Sequence, residues 1–142
     1  MAKKWLSKPK DAQIAFSNAK RYFTNAKESL LKSPIENDIY KDEKYTREAS
    51  GMAYLSALAA IDGYLLSIGT SSDKLPASIE EYTKYLRKIP HNGKLMDALT
   101  VVYQNLHIFG YYRGGVGVNM IKEGFTKAKL IIDTLSKGEI NG

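Results

Sequence analysis

The sequence predicts an all-α protein, a single-domain antiparallel bundle of four long helices and one short helix. The stretch from Met52 to Ile68 is almost unbroken in non-polar or small residues. A helix that is apolar on all sides must be covered on all sides, so we place it at the centre of the bundle. Around it, apolar residues recur at helical spacing in several amphipathic segments, and no strand pattern occurs.

The central helix is predicted over Arg47 to Ile68, and Gly69 is placed to cap it. Its interior holds a single charged residue, Asp62. A stripe of small residues follows one face and would let a neighbouring helix approach closely. The stripe comprises Ala49, Ala53, Ser56, Ala60 and Gly63.

An amphipathic first helix is predicted from Pro9 or Asp11 to near Ser33, because Pro34 disfavours helical geometry in the residue before it. We expect residues 1 to 8 to form a flexible arm, with Trp5 and Leu6 as anchors, and residues 34 to 44 to form a polar linker whose last residues can already belong to the first turn of the central helix. The apolar stripe of the helix contains Ala12, Phe16, Ala19, Phe23, Ala26 and Leu30.

The last three helices follow from caps and periodicity. A capping box at Ser78 opens a short helix that runs from Ile79 to about Ile89. The fourth helix starts after Gly93, and its apolar stripe ends in an arginine: Leu95, Leu99, Val102, Leu106, Phe109 and Arg113. The fifth carries Val118, Ile121, Phe125, Ala128, Ile132 and Leu135.

Length and composition limit the classes of function. The 142 residues suit one domain, residues 1 to 142, and the absence of cysteine excludes disulfides and thiolate zinc sites. The two histidines lack metal-ligand spacing, so we predict no metal and no cofactor. The central run is too short and polar for a membrane span, and the opening Met-Ala-Lys-Lys is not that of a secretory signal. We therefore expect a cytoplasmic protein.

The net charge of +6 resides at the beginning of the chain, because residues 1 to 33 hold eight cations and two anions. Lys10, Lys20 and Lys27 follow one helix face and are candidates for binding nucleic acid. A solvated lysine face produces the same count and is the simpler explanation.

The segment from Tyr111 to Asn119 is the most unusual local sequence, with three glycines in four residues after Arg113. A glycine-rich turn that opens a helix can present backbone N–H groups to an anion such as a nucleotide phosphate, and an arginine adds a bidentate donor. The alternative is a tight turn between helices in which the glycines supply unusual backbone angles. Tyr111, Tyr112, Arg113 and Asn119 are the candidate residues.

Asp62 is costly to bury as an unpaired anion, so we expect it to have a partner. Arg113 is the first candidate for that partner, and tyrosine hydroxyls are the second. A structural pair is favoured over a catalytic acid. We expect His107 at a helix surface or interface, and most of the ten tyrosines as half-buried packing residues.

The pattern resembles the HEPN superfamily of helical bundles. The resemblance lies in an N-terminal helix with spaced alanines and aromatics, the run Arg47-Glu48-Ala49 into Ala53-Tyr54-Leu55, and an arginine before the last long helix. Many HEPN proteins are metal-independent RNases with an Arg-x4-6-His motif at that junction, and others are non-catalytic binding modules. Here Arg113 matches the arginine, whereas Asn119 stands where the histidine is expected.

Asparagine cannot transfer a proton near neutral pH as histidine can. The sequence therefore predicts a non-catalytic binding or regulatory module, a homodimer by the same resemblance, with a protein partner or nucleic acid as its ligand. Two alternatives remain open. One is a divergent RNase that uses Arg113 with a tyrosine, and the other is a nucleic-acid-binding protein that uses the lysines of the first helix.

Overall fold

The structure, a computed structural model, describes the backbone of residues 8–141 and the side chains of residues 8–137. It is an all-α helical bundle, as the sequence predicts. The helices are α1 (Ala12–Leu31), α2 (Glu43–Ser67), α3 (Ile79–Arg87), α4 (Gly93–Val101) and α5 (Val118–Asn141). A π-helical segment, Val102–Tyr112, continues α4, and a short 3₁₀ turn covers Ser72–Lys74.

Helix α2 is the centre of the bundle, and it packs against α1, α5 and the π-helical segment. All five members of the predicted small-residue stripe are buried, and the ring of Phe16 on α1 lies where a side chain at Gly63 would be. The predicted stripe of α5 is buried over its whole length. The close approach of α1 therefore depends on small residues of α2.

Side-chain caps begin three of the helices, and the sequence indicates two of them, Asp11 and Ser78. The Asp11 carboxylate accepts a hydrogen bond from the backbone N–H of Ile14 at 2.9 Å, and the Ser78 hydroxyl accepts one from Glu81 at 3.2 Å. Asp42 caps α2 by accepting from the N–H of Lys44, so α2 begins four residues earlier than Arg47. Gly69 has a φ of +100° just after α2, the left-handed geometry that a terminating glycine supplies.

The predicted polar linker over residues 34 to 44 contains two strands, although the sequence shows no strand pattern, and its last two residues already belong to α2. This segment forms a small antiparallel hairpin, β1 (Ile35–Glu36) and β2 (Ile39–Tyr40), whose turn has positive φ at Asn37 and Asp38. The N–H of Tyr40 donates to Val116 at 2.9 Å, and that of Val118 donates to the carbonyl of Asp38 at 3.0 Å. The strand pairing was missed because each strand has only two residues, too few to show a period.

The prediction that the core stripe of the fourth helix ends in Arg113 is wrong. Wider turns in the π-helical segment rotate its end, so Gly110 faces the core and Arg113 is exposed. Gly110 lies so close to Ser50 that a Cβ there would overlap the hydroxyl. The predicted stripe assumed α-helical spacing throughout, and the π turns shift the register.

By length and composition α2 marginally meets the requirement for a membrane span, with a mean hydropathy of 1.2 over its most apolar window. More than half of that window, 56%, is buried against other helices, as in the core helix of a bundle. The apolar character of α2 is therefore explained by packing. The predicted arm lies outside the described residues except for Lys8.

Candidate functional site

An open groove of about 1000 Å³ runs between α1 and α2. The two helices are antiparallel, because Phe16 near the start of α1 packs on Gly63 near the end of α2. The floor is apolar and belongs mainly to α2, while α1 supplies a polar and cationic rim. The floor contains Ile14, Met52, Leu55, Leu58 and Ala59, and the rim contains Lys8, Lys10, Asn18, Arg21, Tyr22 and Asn25.

Asp62 and Tyr82 line this groove together at the end where α2 terminates. The Tyr82 hydroxyl donates a hydrogen bond to Oδ1 of Asp62 at 2.9 Å. Burial raises the pKa of Asp62 to about 6, although the hydrogen bond from Tyr82 and the charge of Lys8 act in the opposite direction. Burial and the neighbouring carboxylate raise the pKa of Tyr82 above its usual range. The carboxyl group is thus held in a poorly solvated position beside open space.

The first-choice pairing of Asp62 with Arg113 is wrong, and the second choice, a tyrosine hydroxyl, is confirmed. Arg113 precedes Gly114, and Gly114 lies against Glu43 and Arg47 at the opposite end of α2. Asp62 comes fifteen residues after Arg47, which corresponds to roughly 22 Å along a helix. The distance between the two ends of α2 therefore prevents the pairing.

Arg113 is exposed, and its guanidinium lies over the ring of Tyr112 at 5.2 Å from the centroid. Gly114 has a φ of +69°, and a Cβ on Gly115 would overlap the ring of Phe109. The N–H of Gly115 donates to the carbonyl of Phe109 at 2.6 Å. These contacts support the alternative of a tight turn, in which glycine is needed for backbone geometry and close packing.

Asn119 is exposed in the first turn of α5, and no hydrogen bond joins it to Arg113 among the described residues. Tyr111 belongs to a different group, because its ring packs on Gly51 and stacks on His107 with centroids 6.1 Å apart. Neither Arg113 nor Asn119 lines the α1/α2 groove. The candidate residues of the turn therefore lie on an exposed surface, with Tyr112 as the aromatic neighbour of Arg113.

His107 is a half-buried member of an aromatic cluster between α2 and the π-helical segment. Its ring stacks on Tyr54 at 4.6 Å between centroids and lies 5.5 Å from that of Tyr103. Burial, followed by the proximity of Tyr103, raises the pKa of Tyr54 to about 12. These tyrosines pack helices together, as the sequence predicts for most of them.

The three candidate lysines are exposed, but Lys10 lies just before α1 and their surroundings differ. Lys10 lines the groove, whereas Lys20 and Lys27 do not. The ammonium of Lys27 lies 5.3 Å from the centre of the Phe23 ring. Arg21, which was not among the candidates, shares the groove with Lys10.

Comparison with known proteins assigns the chain to a family. Residues 14–137 match a family described as a domain of unknown function, DUF5618. This chain belongs to that family. A solved structure of a protein of unknown function from Dyadobacter fermentans is similar to it, with 32% sequence identity and a TM-score of 0.75. The alignment covers 89% of this chain and 98% of the other. No curated protein matches this member of the family.

Sequence reasoning identified Asp62 but missed the groove around it. Leu55 is 53% exposed in the middle of the most apolar helix, and the sequence alone predicts such a residue to be covered. Tyr82 and Arg21 carried no distinguishing signal, because tyrosine and arginine at helical spacing are usual on packed and solvated faces. Only the arrangement of α1 beside α2 brings these residues to one surface.

Proposed function

We propose that this protein is a non-catalytic binding module that holds a helical segment of another protein in the α1/α2 groove. The observation that supports this most is the exposed apolar floor, where Leu55 is 53% and Ile14 is 44% exposed. Large apolar side chains that lie exposed side by side in a concave surface are typical of protein interaction sites.

The dimensions of the groove suit a helix. The helical part of its rim follows α1 from Ile14 to Asn25, roughly 16 Å at 1.5 Å per residue, which is the length of about three helical turns. An amphipathic helix binds such a groove through apolar residues spaced three and four apart. The rim cations Lys8, Lys10 and Arg21 favour acidic residues on the flanks of that helix. A second copy of this chain fits the groove less well, because two-fold pairing would bring cationic rims together.

A display library of helical peptides, selected against the wild-type protein, tests this function. Selected peptides should bind at least tenfold more weakly to Leu55→Glu, which places a charge in the floor. The matched control is Leu31→Glu, because Leu31 is 85% exposed and does not line the groove. Equal binding to wild type and Leu55→Glu, or the absence of any selected peptide, would contradict the proposal.

The predicted homodimer is a separate proposal. Its support is a set of exposed apolar side chains away from the groove: Ile35 and Ile39 on the hairpin, and Met120 at the start of α5. The hairpin pairs with the chain just before α5, since Ile39 and Gly117 form a β-bridge. Sedimentation equilibrium should report a dimer for the wild type and a monomer for Ile39→Glu. A monomeric wild type at micromolar concentration would remove this proposal.

A nuclease of the HEPN type is the second candidate function, and the HEPN relationship itself stays a prediction. The observation in its favour is the exposure of Arg113 beside Tyr112, with the Arg47 guanidinium next to Gly114. The test is an RNA cleavage assay with Arg113→Ala and, as a control, Arg87→Ala on the exposed end of α3. Cleavage lost only in Arg113→Ala would establish this function in place of the binding module.

The cytoplasmic location of the protein also stays a prediction.

A further inference from the structure

Asp62 is a carboxylate that lines the groove and, among the described residues, has no counterion at bonding distance. Tyr82 donates to Oδ1, and among residues 8–137 no other group donates to this side chain. No lysine or arginine nitrogen of those residues lies within 4.0 Å of its oxygens. Lys8 influences the carboxylate from further away, while its ammonium donates to the carbonyl of Asp73 at 3.5 Å.

The apolar surroundings of Asp62 favour its interaction with a cationic group of a ligand. Leu58, Ala59 and Ile14 line the groove beside it, and they supply no hydrogen bonds from their side chains. A charge in such a setting interacts more strongly with an incoming cation than a solvated charge does, because the local dielectric constant is lower. The desolvation of Asp62 has already occurred on folding, so that part of the cost is not added on binding.

From this geometry we propose that Asp62 pairs with a basic side chain of the bound helix and so determines which segments the groove accepts. This inference rests on the proposed function of the groove. The chemical class of the partner is then specific: an amphipathic helix with a lysine or arginine at the end that meets Asp62 and Tyr82. Tyr82 is a positioning residue, because its hydroxyl holds the carboxylate in one orientation.

The cationic rim adds a second requirement. Helices α1 and α2 are antiparallel with Phe16 beside Gly63, so Arg21 lies further along the groove than Asp62. Five residues of α1 separate Arg21 from Phe16, a displacement of roughly 7 Å. An acidic residue one to two turns from the basic residue would therefore meet Arg21. We expect this charge pair, separated by apolar residues, in segments that bind.

The experiment compares selected peptides that carry a lysine or arginine with versions in which norleucine or citrulline replaces it. Fluorescence anisotropy measures binding to the wild type, Asp62→Asn and Leu55→Glu. Asp62→Asn keeps the size of the side chain and an acceptor for Tyr82. This substitution should lower the affinity for the basic peptides about tenfold. The neutral versions should bind the wild type and Asp62→Asn with equal affinity.

The outcomes separate this inference from the function on which it rests. Peptides that lose affinity on Leu55→Glu but not on Asp62→Asn would overturn the role of Asp62 and leave the groove as the binding site. Peptides with no enrichment of basic residues would do the same. Binding that neither substitution changes, or no binding, would overturn both. A Tyr82→Phe variant should bind only the basic peptides with lower affinity, and its circular dichroism spectrum without peptide should match that of the wild type. This result would support the positioning role.

Discussion

The Tyr82 hydroxyl donates to Oδ1 of Asp62 across the junction of α2 and α3, at 2.9 Å. This contact joins a buried tyrosine, 7% exposed, to the one acidic residue inside the apolar run of α2. Within the described part of the chain the carboxylate thus has one donor, where burial of a charge usually requires more. Its unfavourable setting has consequences for stability as well as for binding.

Asp62→Asn should stabilise the protein at neutral pH. The folded-state pKa of Asp62 is about 6 against an ordinary value of 3.8, so the folded state binds the proton more tightly. The contribution of Asp62 to stability is therefore complete below pH 4 and is lost as the pH rises through 6. We expect the variant to gain about 2 kcal/mol at pH 7, since two pKa units correspond to ~3 kcal/mol before discounting for exposure.

Urea denaturation at pH 4 and pH 7 measures this effect, because the two proteins should differ by less than ~0.5 kcal/mol at the lower pH. Asp97→Asn, at an exposed carboxyl of α4, is the control and should change little at either pH. A variant that is no more stable than the wild type at pH 7 would contradict the burial of Asp62.

Tyr82→Phe should destabilise the protein at pH 7 by about 1.5 to 3 kcal/mol, the usual range for a hydrogen bond to a charged group. The reason is that the ionised Asp62 loses its donor. In the Asp62→Asn background the same change should cost less, so a double-mutant cycle should show coupling between the two positions. Additive effects would indicate that the hydrogen bond contributes nothing to folding.

Ser50→Ala should leave stability unchanged or raise it by about 1 kcal/mol, because an unsatisfied buried hydroxyl is unfavourable. Ser50 Oγ is buried and has no hydrogen-bond partner among the described residues. Ser56 is the matched control on the same helix, since its hydroxyl is equally buried but donates to the carbonyl of Ala53 at 2.6 Å. In thermal denaturation Ser50→Ala should have a higher midpoint temperature than Ser56→Ala. The reverse order would be inconsistent with this packing.

Gly114→Ala should destabilise the turn before α5 by about 1 to 3 kcal/mol. Its φ of +69° is unfavourable for alanine, and a Cβ there would overlap the side chains of Arg47 and Glu43. Gly93→Ala is the control, since a Cβ at that position meets no atom within 4 Å. We expect the control to be neutral or slightly stabilising in chemical denaturation. Equal stability of the two variants would argue against the turn geometry.

Arg113→Ala should change the free energy of unfolding by less than ~0.5 kcal/mol, because the side chain is exposed and stacks on the ring of Tyr112. Loss of a buried ion pair would instead cost about 3 to 5 kcal/mol. Urea denaturation therefore distinguishes the observed arrangement from the pairing with Asp62 that the sequence favoured. A large loss of stability would mean that Arg113 has a buried partner.

Nucleic-acid binding by the first helix is tested by the variant in which Lys10, Lys20 and Lys27 become glutamine. If these lysines bind RNA, affinity should fall steeply with salt in the wild type, and the slope should be smaller in the variant. RNA binding that is absent or insensitive to salt would remove this alternative. The same titration on Arg113→Ala separates the lysine face from the glycine-rich turn.

The amino-acid sequence alone predicts the helices and, except at the end of the fourth, their buried faces. The stripes of α1 and α5, the small residues of α2 and the caps at Asp11 and Ser78 are local patterns, and a local pattern reports the geometry of its own element. The assignment to an all-α bundle follows from those patterns together. The hairpin is not predicted because its strands are too short to show a period, and because part of its hydrogen bonding is to residues almost eighty positions later.

Which charges meet, and where open space remains, follows from the packing of the helices. Asp62 and Tyr82 are twenty residues apart, and Asp62 and Arg113 are fifty-one apart, yet only the first pair meets. The π-helical turns place Gly110 rather than Arg113 toward the core, and the packing of α1 on α2 leaves Leu55 uncovered. Such outcomes depend on distances between elements, and the spacing of residues within one element contains no information about those distances.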